Sequence, residues 1–230
     1  FMLHQIFILN KNFDKYFKEY NFHKLYKELI NFCSLDLSAF YFDIRKDTLY
    51  CDEIKSPKRQ ACLNLLDLVL DMLLKWFAPI LSFTTEEIYQ IMQKDKNTSI
   101  HLQNFPIIPT KWENNQLFEK WNKLKTIRDV VNAAIEVKRS SKDVGSSLEA
   151  DIEIYLGEEY LKLVKDINLS EYFITSSVKV KPMINNDKLF KLDNTVNVGI
   201  LVKKALGKKC SRCWKILQNP CKRSNCGLKN

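Results

Sequence analysis

Residues 56–79 read SPKRQACLNLLDLVLDMLLKWFAP, from Ser56 to Pro79, and this stretch decides the fold. Ser56 suits an N-cap, and Pro57 suits the first helical position, where a missing N–H leaves no bond unmade. Ala61, Leu65, Leu68, Val69, Met72, Leu73 and Trp76 then recur at helical spacing and mark one buried face. Pro79 cannot continue the helix and stops it. On the N-terminal side, Leu3, Ile6, Phe7, Phe13 and Phe17 lie mainly on one face of a first helix. A second follows Asn21, with Phe22, Leu25, Tyr26, Leu29, Ile30 and Cys33 at the same spacing. On the C-terminal side, Thr84-x-x-Glu87 has the pattern of a capping box and opens a fourth helix through Ile88, Ile91 and Met92. Four antiparallel helices with short connections make a bundle.

Beyond the bundle the pattern changes twice. His101 to Pro109, with two prolines, reads as a linker. A long helix follows from about Asn114 to Ser140, its buried stripe formed by Leu117, Trp121, Leu124, Ile127, Val131 and Ile135. After Gly145, Leu148, Ala150, Ile152, Ile154 and Leu156 alternate as one face of a strand. A short helix near Glu158 to Lys165 and strands near Tyr172 to Val180 and Val196 to Val202 complete a small α/β unit. The expected class is mainly α. It has a helical bundle over 1–105, a long helix plus small α/β domain over 106–202, and a basic knuckle over 203–230.

The knuckle, Lys203 to Asn230, holds four of the seven cysteines, nine Lys or Arg and no Asp or Glu. The whole chain has 36 basic and 27 acidic residues, so residues 1–202 are formally neutral and the +9 excess sits in this tail. The cysteines run Cys210-x2-Cys213-x7-Cys221-x4-Cys226, two short arms of the kind that supply thiolates to tetrahedral zinc. No His follows His101, so a local site uses all four cysteines, leaves no open position and is structural. A tail whose apolar residues are little more than Trp214, Ile216, Leu217 and Leu228 depends on metal for its order. Disulfides and a metal-free tail are the competing readings. The odd cysteine total, the lack of a secretory signal and the apolar or helical contexts of Cys33, Cys51 and Cys62 favour a reducing compartment.

Apolar content of 46% is ample for a core, and five Gly and six Pro argue against a loop-rich all-β protein. No apolar run approaches the ~20 residues of a bilayer span. The longest, Leu63 to Ile80, is interrupted by Asn64, Asp67, Asp71 and Lys75. The chain starts at Phe1, and a fragment of something longer is expected. It has no Gly-rich phosphate loop, no HxGH-type ATP signature and no Lys-Met-Ser-Lys-Ser loop, and no active-site constellation surrounds His4, His23 or His101. Phe40-Tyr41-Phe42, followed by Arg45 and Lys46, offers rings to stack on unpaired bases and cations to meet phosphates. The same residues also suit core packing, with Arg45 paired to Asp43 or Asp47. Trp214 is either the knuckle's own core or an exposed stacking surface. Lys203, Lys204, Lys208, Lys209, Arg212, Lys215, Lys222 and Arg223 are candidate phosphate contacts, or else a solvated basic surface.

Several strings carry a family resemblance. Tyr20-Asn21-Phe22-His23-Lys24 and Asp36-Leu37-Ser38-Ala39-Phe40-Tyr41-Phe42-Asp43-Ile44-Arg45-Lys46-Asp47-Thr48-Leu49-Tyr50-Cys51 closely resemble bacterial-type isoleucyl-tRNA synthetase. Trp76-Phe77-Ala78-Pro79-Ile80-Leu81-Ser82-Phe83-Thr84 is similar to the class I anticodon-binding bundle, and Val144-Gly145-Ser146-Ser147-Leu148-Glu149-Ala150 also fits the family. Lys209-Cys210-Ser211-Arg212-Cys213-Trp214 resembles its C-terminal zinc knuckle. The second arm departs from the usual pattern, with a wider cysteine spacing after a shorter loop.

The resemblance implies that residues 1 to about 105 recognise the anticodon stem-loop of isoleucine tRNA. It implies that one structural zinc orders the tail and that the α/β unit and knuckle complete the grip; the tRNA-binding candidates, read from their rings and charges, are Phe40, Arg45, Lys46, Lys208, Lys209, Arg212, Trp214, Lys215, Lys222 and Arg223. It places ATP, Mg2+, catalysis and editing in a cytoplasmic, monomeric parent ligase upstream of this chain. A free-standing zinc-containing RNA-binding module, the C-terminus of another class I synthetase and a protein-docking assembly domain are the rival readings.

Overall fold

Helix α1 (Met2–Lys18) buries Met2, His4, Ile6, Leu9 and Phe13; of the face its spacing predicts, Ile6 and Phe13 are buried, Phe7 and Phe17 are half-buried and Leu3 is exposed. In this computed structural model, which describes residues 1–93, 97–221 and 223, the chain forms two compact units. The first comprises Phe1–Asp43 and Ile54–Asn115; the second comprises Ile44–Glu53 and Gln116–Asn230.

In the first unit α1 ends on Tyr20, a non-glycine residue in the left-handed region at φ 55°. Asn21 then caps α2 (Phe22–Asn31) by accepting from the Lys24 N–H at 3.4 Å. The helical path continues as a π-helical segment, Phe32–Phe42, in which Phe32, Leu37, Phe40 and Tyr41 are buried. A π segment of this length is rare. Its apolar residues form no single α-spaced stripe, so a reading at the 3.6-residue period does not mark it as helix. Phe40 packs edge-on against Phe1, with ring centroids 5.9 Å apart, which is the core reading of that aromatic cluster.

Helix α4 (Pro57–Phe77) starts with proline in its first turn, as the sequence predicts, although Ser56 contributes its carbonyl rather than its side chain. Trp76, fully buried, donates its indole N–H to Asn10 at 3.2 Å and lies 6.0 Å from the Phe13 ring, fastening α4 to α1. The capping box is not formed. Helix α5 spans Ser82–Met92 with Leu81 at its N-cap, so Thr84 already lies inside it. The reason is local. The Leu81 carbonyl accepts from both the N–H and the hydroxyl of Thr85, which starts the helix three residues early, nearly a full turn. Glu86 reaches the segment after α5, where it accepts from the Ser99 hydroxyl at 2.8 Å and the Ile100 N–H at 2.9 Å. Ile100 is buried with Leu74, Ala78 and Tyr89. His4 is also structural: buried, it accepts the Asn114 N–H on Nδ1 at 2.9 Å.

The second unit begins at Ile44, within α3 (Asp43–Cys51), whose Arg45 pairs with Glu171 at 2.8 Å. The Thr48 hydroxyl donates to the same carboxylate oxygen at 3.1 Å. Helix α6 (Asn115–Ser140) buries Leu124, Ile127, Val130, Val131, Ala134 and Ile135. It is tied to α8 (Leu169–Tyr172) by Trp121 edge-on to Tyr172 and by Arg128 over the same ring. Strands β1 (Ala150–Leu156), β2 (Ser177–Pro182) and β3 (Val198–Lys204) form a sheet in the order β2-β1-β3, with β1 parallel to β2 and antiparallel to β3. Helix α7 (Glu158–Val164) provides part of the crossover.

Central β1 buries Ala150, Ile152, Ile154 and Leu156 on one face and Glu153 and Tyr155 on the other. The strand expected at Tyr172 to Val180 is shorter. Asn168 accepts from the Glu171 N–H and opens the helical turn α8, so the strand waits until Ser177. The last strand starts at Val198 because Asn197 is left-handed, at φ 63°, and spends its carbonyl on the Gly157 N–H. Among the described residues no helix is long and apolar enough to cross a membrane.

Candidate metal centre and nucleic-acid interface

The knuckle is a small hairpin. Strand β4 (Lys208–Lys209) pairs antiparallel with β5 (Ile216–Leu217). Between them Cys210 accepts the Trp214 N–H at 3.0 Å and gives its own N–H to the Lys215 carbonyl at 2.9 Å. Trp214, at φ 62°, completes the tight turn. This geometry turns Cys210 and Cys213 to one side, which is why an x2 spacing works. The chain then returns through Pro220 to Cys221. The Sγ atoms of Cys210, Cys213 and Cys221 all lie within 4.8 Å of one another, and Cys213 and Cys221 are 4.0 Å apart. Thiolates about 2.3 Å from a tetrahedral metal are separated by about 3.8 Å, whereas a disulfide needs about 2.05 Å. The three sulfurs therefore fit a shared metal ion, and all three are free thiols. Cys226, the expected fourth ligand, lies outside the described residues, as do Lys222 and Leu228.

Burial, with Cys210 and Cys221 beside it, pushes the Cys213 thiol up to about 12. A bound dication reverses that preference, because coordination deprotonates a thiol outright. The hairpin is held to the sheet by Ser176, whose hydroxyl accepts the Ile216 N–H at 2.7 Å and donates to the Leu148 carbonyl.

The tail's cations fall into two groups. Lys208 and Lys209 are exposed on β4, and Trp214 is 60% exposed, so its ring is a surface rather than the knuckle's core. The others turn inward. Arg212 donates from Nε and Nη2 to the Tyr50 carbonyl at 3.0 and 2.7 Å. Lys215 is buried, with Nζ 3.8 Å from Asp47. Arg223 meets Asp47 at 2.6 Å and Asp52 at 3.8 Å. Cys51, buried, clusters with Cys213, and Cys210 and Cys221 pack against that pair. Lys203, on β3, meets Glu153 at 2.7 Å, and Lys204 is exposed. Among the earlier candidates, Lys46 is exposed while Phe40 is buried and Arg45 is held by Glu171.

Sequence reading missed Asp47, Tyr50, Cys51 and Asp52 as partners of the knuckle. Tyr50 and Arg212 are 162 residues apart, and no local pattern reports such a contact.

Comparison with known proteins agrees with this architecture. The anticodon-binding domain of tRNA ligase matches residues 1–154. The isoleucine–tRNA ligase of Pelagibacter ubique is 48% identical over 223 residues, covering 97% of this chain and 23% of that protein. Those of Rhodopseudomonas palustris and Bradyrhizobium diazoefficiens are 39% and 40% identical, covering 95% and 94% of this chain and 22% of each relative. The chain thus spans less than a quarter of the length of these relatives. With two thirds of its length matched by that domain, the chain belongs to the anticodon-binding domain family of tRNA ligases.

Proposed function

We propose that this chain is the tRNA-binding, C-terminal portion of an isoleucine–tRNA ligase, a parent enzyme that attaches isoleucine to its tRNA with ATP and Mg2+. The observation that carries the proposal is the domain match over residues 1–154, which takes in the whole run of helices α1 to α5. The isoleucine assignment follows the relatives' names. In this reading the chain performs no chemistry. It positions tRNA(Ile), within a monomeric cytoplasmic parent whose catalytic and editing domains lie elsewhere.

One structural zinc is held by Cys210, Cys213, Cys221 and Cys226, and it keeps the hairpin folded. Lys46, Lys208, Lys209 and Trp214 are the surface contacts that the geometry favours, since cations position phosphates and a bare indole stacks on a base. Lys204 and Lys222 add charge. Phe40, Arg45, Arg212, Lys215 and Arg223 contribute through the packing and ion pairs that hold this surface in place. The domain limits 1–105, 106–202 and 203–230 describe this division of labour between anticodon reading, junction and knuckle.

The test is binding of the zinc-loaded chain to two RNA hairpins, one carrying the isoleucine anticodon loop and one carrying only the acceptor stem. The anticodon hairpin is expected to bind at least about tenfold more tightly, a difference of about 1.4 kcal/mol. Equal affinity for the two hairpins contradicts anticodon reading.

A further inference from the structure

We infer that the knuckle is a metal-dependent cap on helix α3, with Asp47 and Asp52 as positioning residues for the metal site. The inference rests on the reading that the cysteine cluster holds zinc. It goes beyond that reading in saying what the ordered metal does.

The end of a helix leaves carbonyls without partners and carries partial negative charge. At the end of α3 the Tyr50 carbonyl receives two N–H donors from one guanidinium, that of Arg212. Arg212 lies between the two cysteines of the tight turn, so its direction is set by the same backbone that aims Cys210 and Cys213. Asp47, one turn earlier on α3, lies against Arg223 and Lys215, and Asp52 lies against Arg223. Lys215 and Arg223 flank the ligands, two residues after Cys213 and two residues after Cys221. Cys51 forms one buried cluster with Cys213, against which Cys210 and Cys221 pack. Thus each described ligand arm carries a cation that α3 neutralises or that caps α3.

Two consequences follow. Without metal the arms are released, Arg212 and Arg223 leave, and α3 loses its cap and its counter-charges. Conversely, a folded α3 holds the arms in ligating position before the ion arrives. By linkage the two effects have the same magnitude: whatever factor a folded α3 adds to the zinc affinity, bound zinc adds to the folding equilibrium constant of the α3 end. The inward-facing cations also cease to be available to phosphate while metal is bound.

Hydrogen exchange on the full chain tests this, with Zn2+ bound and after its removal by a chelator. Amides of residues 47–53 are expected to lose protection about tenfold or more on removal, while those of β1 keep theirs. In competition with a chromophoric chelator, Asp47→Asn is expected to weaken zinc about three- to tenfold, near the low end for groups that orient ligands. Arg223→Gln should weaken it comparably, and the double variant by less than the two single effects combined. Should Asp47→Asn lose protection in β1 as well, Asp52→Asn carries the comparison.

One zinc bound per chain, with residues 47–53 indifferent to its removal, overturns the cap alone. So does wild-type zinc affinity in a folded Asp47→Asn or, where Asp52→Asn serves instead, in that variant. A chain that takes up no zinc overturns both the metal reading and the cap.

Discussion

Gly207 adopts φ 135°, and a Cβ there would lie 2.2 Å from the Leu217 carbonyl oxygen. No side chain fits, because the obstacle is the backbone of the opposite hairpin strand. Gly207→Ala is therefore expected to prevent β4 from closing on β5, and zinc release measured with a chromophoric chelator should quicken by about tenfold or more, since ligation and folding of such a hairpin are one event. Cys213→Ser removes the most buried thiol of the cluster. Its expected result is loss of zinc and of knuckle protection in hydrogen exchange, with helical circular dichroism nearly unchanged. A collapse of the helical signal would show that the knuckle and the helices fold as one. At this scale the sequence was informative where a chemical role needs neighbours in the chain. Cys210 and Cys213 share a five-residue turn, so their spacing reports their geometry. Asp47 and Asp52 have no such signature, since their roles exist only once the tail has folded back on α3. Phe40 illustrates the same limit, because an aromatic beside cations reads equally well as a stacking ring and as core.

Strand β1 is covered on both faces, and its second face carries a carboxylate. Glu153 receives Lys181 and Lys203 from the two flanking strands, each at 2.7 Å. Those ammonium groups, first Lys181 and then Lys203, hold its carboxyl at about 2 against an ordinary 4.5. A folded value below the unfolded one means that the ionised form is favoured by folding. The stabilisation is fully present above about pH 4.5 and is lost as pH falls toward 2. Thermal melts of the wild type are thus expected to drop through this window, and those of Glu153→Gln to drop less. On the other face Ile154 is fully buried, and Ile154→Ala should cost about 2–5 kcal/mol in denaturant unfolding of the sheet unit. Elements with a long stripe, such as α4 and α6, were legible nearly to their ends. The start of α5 was misplaced because Leu81, with no capping side chain, opens it through its carbonyl. The strand expected from Tyr172 was misplaced because Asn168 starts a helical turn in its first half.

For the whole chain, the excess of nine positive charges lies in the tail, yet four of the described tail cations, Lys203, Arg212, Lys215 and Arg223, are committed to partners within the protein. Under the proposed function, the electrostatic share of RNA binding is therefore smaller than the formal charge suggests. Each phosphate neutralised contributes roughly 0.7–0.9 to the slope of log affinity against log salt. Lys208→Gln combined with Lys209→Gln is expected to reduce that slope by about 1.4–1.8 while leaving any preference among tRNAs in place, since phosphate contacts carry no sequence information. The family was legible in short strings spread along the chain, within and beyond the residues that the domain matches. The most direct measurement is the affinity of the zinc-loaded chain for isoleucine tRNA and for a non-cognate tRNA at two salt concentrations. A cognate preference that survives the higher salt, with affinity falling as salt rises, is the predicted result. Equal binding of both tRNAs at each salt concentration would contradict a chain that reads the anticodon.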